Sequence, residues 1–108
     1  MTGKIVLFTT CPPADAERIA RHLVATQVAA CVNILPQALS IYRWQGQVTQ
    51  DSESVLIIKS SRDLFPALEA ELRKVHSYDV PELIALPIVE GSAAYLAWLD
   101  ESMPLSGS

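Results

Sequence analysis

Three things are scarce in this sequence, and each scarcity excludes something. No uninterrupted apolar run approaches the roughly 18 residues that a membrane span requires. The start, Met1-Thr-Gly-Lys-Ile5, also lacks the basic-then-apolar layout of a signal peptide, so a cytoplasmic chain with no membrane partner is expected. Positive charge is sparse and dispersed: 8 Lys and Arg face 12 Asp and Glu, a formal net charge of −4. Without a basic run or stripe there is no electrostatic footprint for nucleic acid. Cysteine is limited to Cys11 and Cys31. In a cytoplasmic chain both are expected as reduced thiols.

What is abundant is apolar surface. Half of the 108 residues are hydrophobic and the mean hydropathy is +0.25, high for a soluble chain of this size. The length suits one domain, residues 1–108, with its own core. Excess apolar character also suggests that subunits cover part of the surface. No repeat, linker or low-complexity tract divides the chain.

Lys4 to Thr10 is an apolar, β-branched run and reads as a buried strand. Cys11-Pro12-Pro13 stops it and opens a helix with Ile19, Ala20, Leu23 and Val24 on one face. Ala30 to Leu35 is a second strand, Pro36 marks a bulge or bend, and Leu39 to Trp44 continues extended. Gln45-Gly46 is a hairpin turn, and Gln47 to Ser60 returns as the third strand. Ser61 or Asp63 caps a second helix that turns Leu64, Phe65, Leu68, Leu72 and Val75 inward. Glu82 to Val89 is the fourth strand, Gly91-Ser92 opens a short helix, and Met103 to Ser108 is a frayed tail.

The order predicts an α+β fold: a ferredoxin-like β-α-β-β-α-β sandwich with a long β2-β3 hairpin and a C-terminal helix. The second and third strands run about 14 residues, roughly 45 Å, against 7 or 8 for the others. Half the hairpin therefore overhangs its own sheet. An isolated two-stranded arm is marginal in water, so Ile41, Tyr42, Trp44 and Val48 need cover. Closed cyclic assembly supplies it; the alternative is an arm that curls back onto its own sheet.

In this topology the first strand ends where the fourth begins. That gathers Cys11 with the junction His76-Ser-Tyr-Asp-Val-Pro-Glu82. Cys31 starts the parallel second strand at the opposite end, so a Cys11–Cys31 bridge is excluded. A thiolate with an imidazole suits copper or zinc, with Asp79 or Glu82 adding an oxygen or orienting the ring. The bland readings stay open. His76 is also a helix C-terminal cation, and Cys11 a small apolar residue. Tyr42 and Trp44, on one face of the arm, are either a stacking platform or interface packing. Lys59 with Glu82 is either an ion pair across a cleft or a surface pair of little weight. Cys31 is expected in the core.

Ala30-Cys-Val-Asn-Ile-Leu-Pro36, Ser40-Ile-Tyr-Arg-Trp-Gln-Gly46 and His76-Ser-Tyr-Asp-Val-Pro-Glu-Leu-Ile-Ala-Leu-Pro87 together resemble the CutA family of divalent-cation tolerance proteins. The likeness extends to Tyr95-Leu-Ala-Trp98. It implies a ferredoxin-like homotrimer with strands pairing across subunits and a role in tolerance of copper and other divalent ions. In the family signature His-Pro-Tyr-Glu-Val-Pro-Glu, His76, Tyr78, Val80, Pro81 and Glu82 match, while Ser77 replaces Pro and Asp79 replaces Glu. Some members bind copper through a first-strand cysteine and two successive histidines. Those positions are Phe8, Val75 and His76 here, so one ligand of three is present.

The reading is a cytoplasmic homotrimer, without enzymatic activity, that takes copper or a similar divalent ion at His76 and Cys11. Tyr42, Trp44, Lys59, Tyr78, Asp79 and Glu82 are its cleft or interface residues. A PII-like trimer holding a small molecule or partner protein between subunits is the alternative, although no Gly-rich phosphate cradle is present. A Cys11 nucleophile with His76 as base lacks a third, orienting residue.

Overall fold

The computed structural model describes residues 2–104. β1 (Lys4–Cys11) alternates as its sequence dictates. Ile5, Leu7, Thr9 and Cys11 are buried on one face, while Val6, Phe8 and Thr10 are half-buried on the other. Pro12 and Pro13 lead through a 3-10 turn into α1 (Ala16–Ala25). Proline suits this turn because it has no amide hydrogen to leave unpaired. Ala16, Ile19, Ala20 and Leu23 form the buried stripe. Val24, expected inward, lies exposed at the stripe's margin.

β2 (Cys31–Trp44) and β3 (Gln47–Ser61) are joined by Gln45 and Gly46. Both have positive φ, 52° and 80°, as a two-residue turn matched to the strand twist requires. Leu35 pairs with Val55 but Ala38 with Glu53, so β2 carries one extra residue beside Pro36, and Gln37 takes φ 64° to absorb it. A 3-10 turn follows Ser61, whose hydroxyl donates to the Gly3 carbonyl at 3.3 Å, and α2 (Phe65–Val75) begins. Its Leu68 and Leu72 are buried against α1 and the sheet, with Phe65 and Val75 packed at the margin. Leu64 joins a second cluster instead.

β4 (Ile84–Pro87) is shorter than the expected Glu82–Val89, because only Ile5 to Phe8 of β1 pair with it. α3 (Ala93–Glu101) is capped by Ser92 Oγ, which accepts the Tyr95 amide at 3.3 Å. Met103, expected in a frayed tail, is 1% exposed against Ala30, Leu64 and Leu99. Residues 105–108 of that tail lie outside the described residues.

The antiparallel sheet runs β2-β3-β1-β4, the ferredoxin-like order. α1 and α2 cover one face; α3 meets the other at its Lys4 end, where Lys4 pairs with Asp100 at 2.7 Å, and among the described residues the rest of that face, with Ile84 and Leu86, is left uncovered. β1 pairs only with Ser54 to Ser61 of β3, so the hairpin beyond that point projects as an arm. It does not curl back: Ile41 is 65%, Trp44 61% and Val48 72% exposed. The molecule is accordingly 45 Å long against 25 and 22 Å across.

Candidate functional site

The end of β1 is where the topology gathers its chemistry. Arg18 Nη1 donates to the Val75 carbonyl at 2.9 Å, placing a cation on the last turn of α2. Ser77 Oγ donates to Asp15 Oδ2 at 3.2 Å. These contacts hold the chain leaving α2 against the start of α1.

His76 is buried between them. Its Nε2 lies 2.8 Å from the Thr10 carbonyl, and its Nδ1 accepts the Tyr78 amide at 3.1 Å. An Nδ1 that accepts leaves the ring proton on Nε2, which donates to Thr10. The neutral imidazole thus has no spare lone pair for a metal. The Tyr78 ring packs 4.8 Å from it, and the Tyr78 hydroxyl donates to Glu53 Oε2 at 2.7 Å. Burial, reinforced by the Glu53 carboxylate, pushes the phenol well above its ordinary range. Glu53 is buried on β3 just past the last residue that pairs with β1.

Cys11 is fully buried in the core. Burial, with Asp15 and Glu53 adding to it, pushes its thiol up to about 11. At neutral pH it is a protonated thiol and a poor ligand. The topology does bring His76 to the β1 end beside Cys11. The metal centre expected there is nonetheless not assembled, because one partner's lone pair is occupied and the other's proton retained. Among the described residues no group of three or more His, Cys, Asp or Glu is placed to hold a metal ion. Asp79 and Glu82 are exposed and add no oxygen to His76.

The remaining expected residues lie elsewhere. Tyr42 donates to Asp51 across the arm, which raises its phenol. Trp44 stands exposed at the arm's end. Lys59 donates to Asn33 Oδ1 and lies 4.0 Å from Cys31 Sγ. Within the chain it forms no ion pair with Glu82 among the described residues. Lys59 is level with Val6 of β1, whereas Glu82 precedes Ile84, which is level with Phe8. Cys31, expected in the core, is half-buried on the uncovered face, and both cysteines are free. Sequence reasoning missed Glu53. Its signal was a carboxylate at the point where β3 outruns β1.

This fold, with its carboxylate and phenol at the arm's root, belongs to a class of small ferredoxin-like chains built around a projecting hairpin. Residues 5–102 match the family described as CutA1 divalent ion tolerance protein, and the chain belongs to that family. It is 46% identical over 99 residues to the divalent-cation tolerance protein CutA of Thermus thermophilus, covering 92% of this chain and 96% of that one. It is also 46% identical over 99 residues to Protein CutA, chloroplastic, of Arabidopsis thaliana, where 91% of this chain spans 54% of the longer relative. The crystal structure of CutA1 from Oryza sativa superimposes with a TM-score of 0.92 at 41% identity, over 100% of both chains. No helix among the described residues is long and apolar enough to cross a membrane.

Proposed function

We propose that this chain serves tolerance of divalent metal ions as a cytoplasmic homotrimeric scaffold without enzymatic activity. Copper and similar ions reach it as weakly held cargo rather than as a resident cofactor. The observation that carries the reading is the arm: Ile41, Trp44 and Val48 lie exposed beyond the sheet of their own chain. Apolar side chains on an isolated hairpin are stable in water only under cover. Three copies related by a closed rotation cover them alike and leave no arm unpartnered.

The donors support weak uptake. For an ion to be held at His76 and Cys11, the imidazole must release the Tyr78 amide or the Thr10 carbonyl. The thiol must also lose a proton it holds up to about 11. Both requirements oppose metal binding. The same features support a non-enzymatic role for this pair, since Cys11 keeps its proton and His76 Nδ1 is engaged by the Tyr78 amide.

Anaerobic titration of the reduced, metal-free protein with Cu(I) and Zn(II), beside His76→Ala and Cys11→Ser, tests the metal part. Expected is binding that a competing chelator abolishes and that weakens further in the variants. Chelator-resistant, stoichiometric binding would overturn it.

A further inference from the structure

Cys31 and Lys59 stand directly opposite each other on β2 and β3. Opposed residues of antiparallel strands share a face and bring their side chains together. Lys59 Nζ lies 4.0 Å from the Cys31 sulfur. Asn33, two residues along β2 and on the same face, accepts from both. The Cys31 thiol donates to its Oδ1 at 3.7 Å, and Lys59 Nζ donates to the same oxygen. One amide oxygen thus holds a thiol and an amine side by side, and lysine's flexible stem can close the remaining gap. All three side chains belong to one chain, so the cluster does not depend on assembly.

The other cysteine has opposite surroundings. Cys11 is fully buried on the face that α1 and α2 cover, and its thiol is pushed up to about 11. Cys31 is half-buried on the other face, on the edge strand of the sheet. Thiol oxidation follows exposure, which favours Cys31. Because Cys11 lies across the sheet, no second thiol of the same chain faces an oxidised Cys31. The nucleophile that does face it is the Lys59 nitrogen.

We propose that Cys31 and Lys59 are a peroxide-responsive redox pair that closes to a covalent sulfur–nitrogen link between β2 and β3. In the first step the Cys31 sulfur takes one oxygen from hydrogen peroxide. The S–O bond forms, the O–O bond breaks, water leaves, and the sulfur is oxidised to sulfenic acid. In the second step Lys59, having given one proton to solvent, attacks that sulfur with its nitrogen lone pair. The S–N bond forms, the S–O bond breaks, and the departing hydroxide takes an N–H proton and leaves as water. This condensation consumes no further oxidant. Two equivalents of a small thiol reverse it, restoring both side chains and leaving the disulfide of the reductant. The link shields the sulfur from irreversible oxidation and removes the Lys59 charge.

Treatment of the reduced protein with a slight excess of hydrogen peroxide, followed by intact mass and tryptic mapping, tests the pair. The expected product is about 2 Da lighter than the parent, with Cys31 and Lys59 in one cross-linked peptide that dithiothreitol separates. Cys31→Ser should lose this product entirely. Lys59→Arg, which keeps the charge but not the amine, should stop at Cys31 oxygen adducts about 16 or 32 Da heavier. The same loss of about 2 Da in Lys59→Arg would mark a Cys11–Cys31 disulfide and overturn the inference. A parent chain that carries oxygen on Cys31 with Lys59 free, pairs into dimers through Cys31, or does not react at Cys31 overturns it as well. A Cys31–Lys59 link about 14 Da heavier than the parent retains an oxygen and overturns the S–N bond.

Discussion

Tyr78 is tied to Glu53 by a 2.7 Å hydrogen bond that joins the segment after α2 to the root of the projecting arm. His76 sets up this bond from behind, accepting the Tyr78 amide while donating to Thr10. The most conspicuous histidine of the sequence therefore acts here as a brace. Tyr78→Phe should leave the buried Glu53 oxygen without that donor and cost roughly 1–3 kcal/mol. Denaturant unfolding measures this. A loss below a few tenths of a kcal/mol would mean that water already satisfies Glu53.

The raised Cys11 thiol has a consequence at alkaline pH. A group that the folded state keeps protonated stabilises that state fully below its unfolded value. The contribution is then lost as pH rises through the folded one. For Cys11 the window runs from the ordinary 9.0 to about 11. The Tm should fall across it, and Cys11→Ala should show a shallower fall than the parent chain. Parallel slopes would contradict the assignment.

Met103 is part of the core rather than a tail, packed with Ala30, Leu64 and Leu99. Met103→Ala is expected to destabilise the fold by roughly 2–5 kcal/mol, as buried truncations of this size do. A thermal melt indistinguishable from the parent would return Met103 to the surface.

Gln27 follows the end of α1 with φ 65°, the left-handed conformation that glycine adopts without strain. Gln27→Gly should therefore stabilise the chain by up to about 1 kcal/mol. Destabilisation would show that the Gln27 side chain makes a contact worth more than the strain it carries.

Much of the architecture was legible because it depends on local chemistry. The apolar run from Lys4 sets β1, Gln45-Gly46 turns the hairpin, and Pro36 marks the bulge beside Gln37. Even the meeting of His76 with the end of β1 follows from topology. What could not be read depends on partners without a sequence pattern. The His76 lone pair is consumed by a backbone amide, and its proton by a backbone carbonyl. A list of side chains shows neither, so a histidine near a cysteine read as a metal pair. Lys59 and Glu82, read as a pair either across a cleft or at the surface, lie within one chain beside different residues of β1. Met103 was misread because a C-terminal Met-Pro carries no sign that α3 returns it to Ala30 and Leu64.

In the proposed trimer the arm is covered by other copies of the chain. Sedimentation equilibrium of the parent protein beside Trp44→Asp tests it most directly. A three-chain mass is expected for the parent. A charge on the arm's exposed apolar residue should shift the variant toward smaller species while its isolated fold remains intact. A single-chain mass for the parent at micromolar concentration would contradict it.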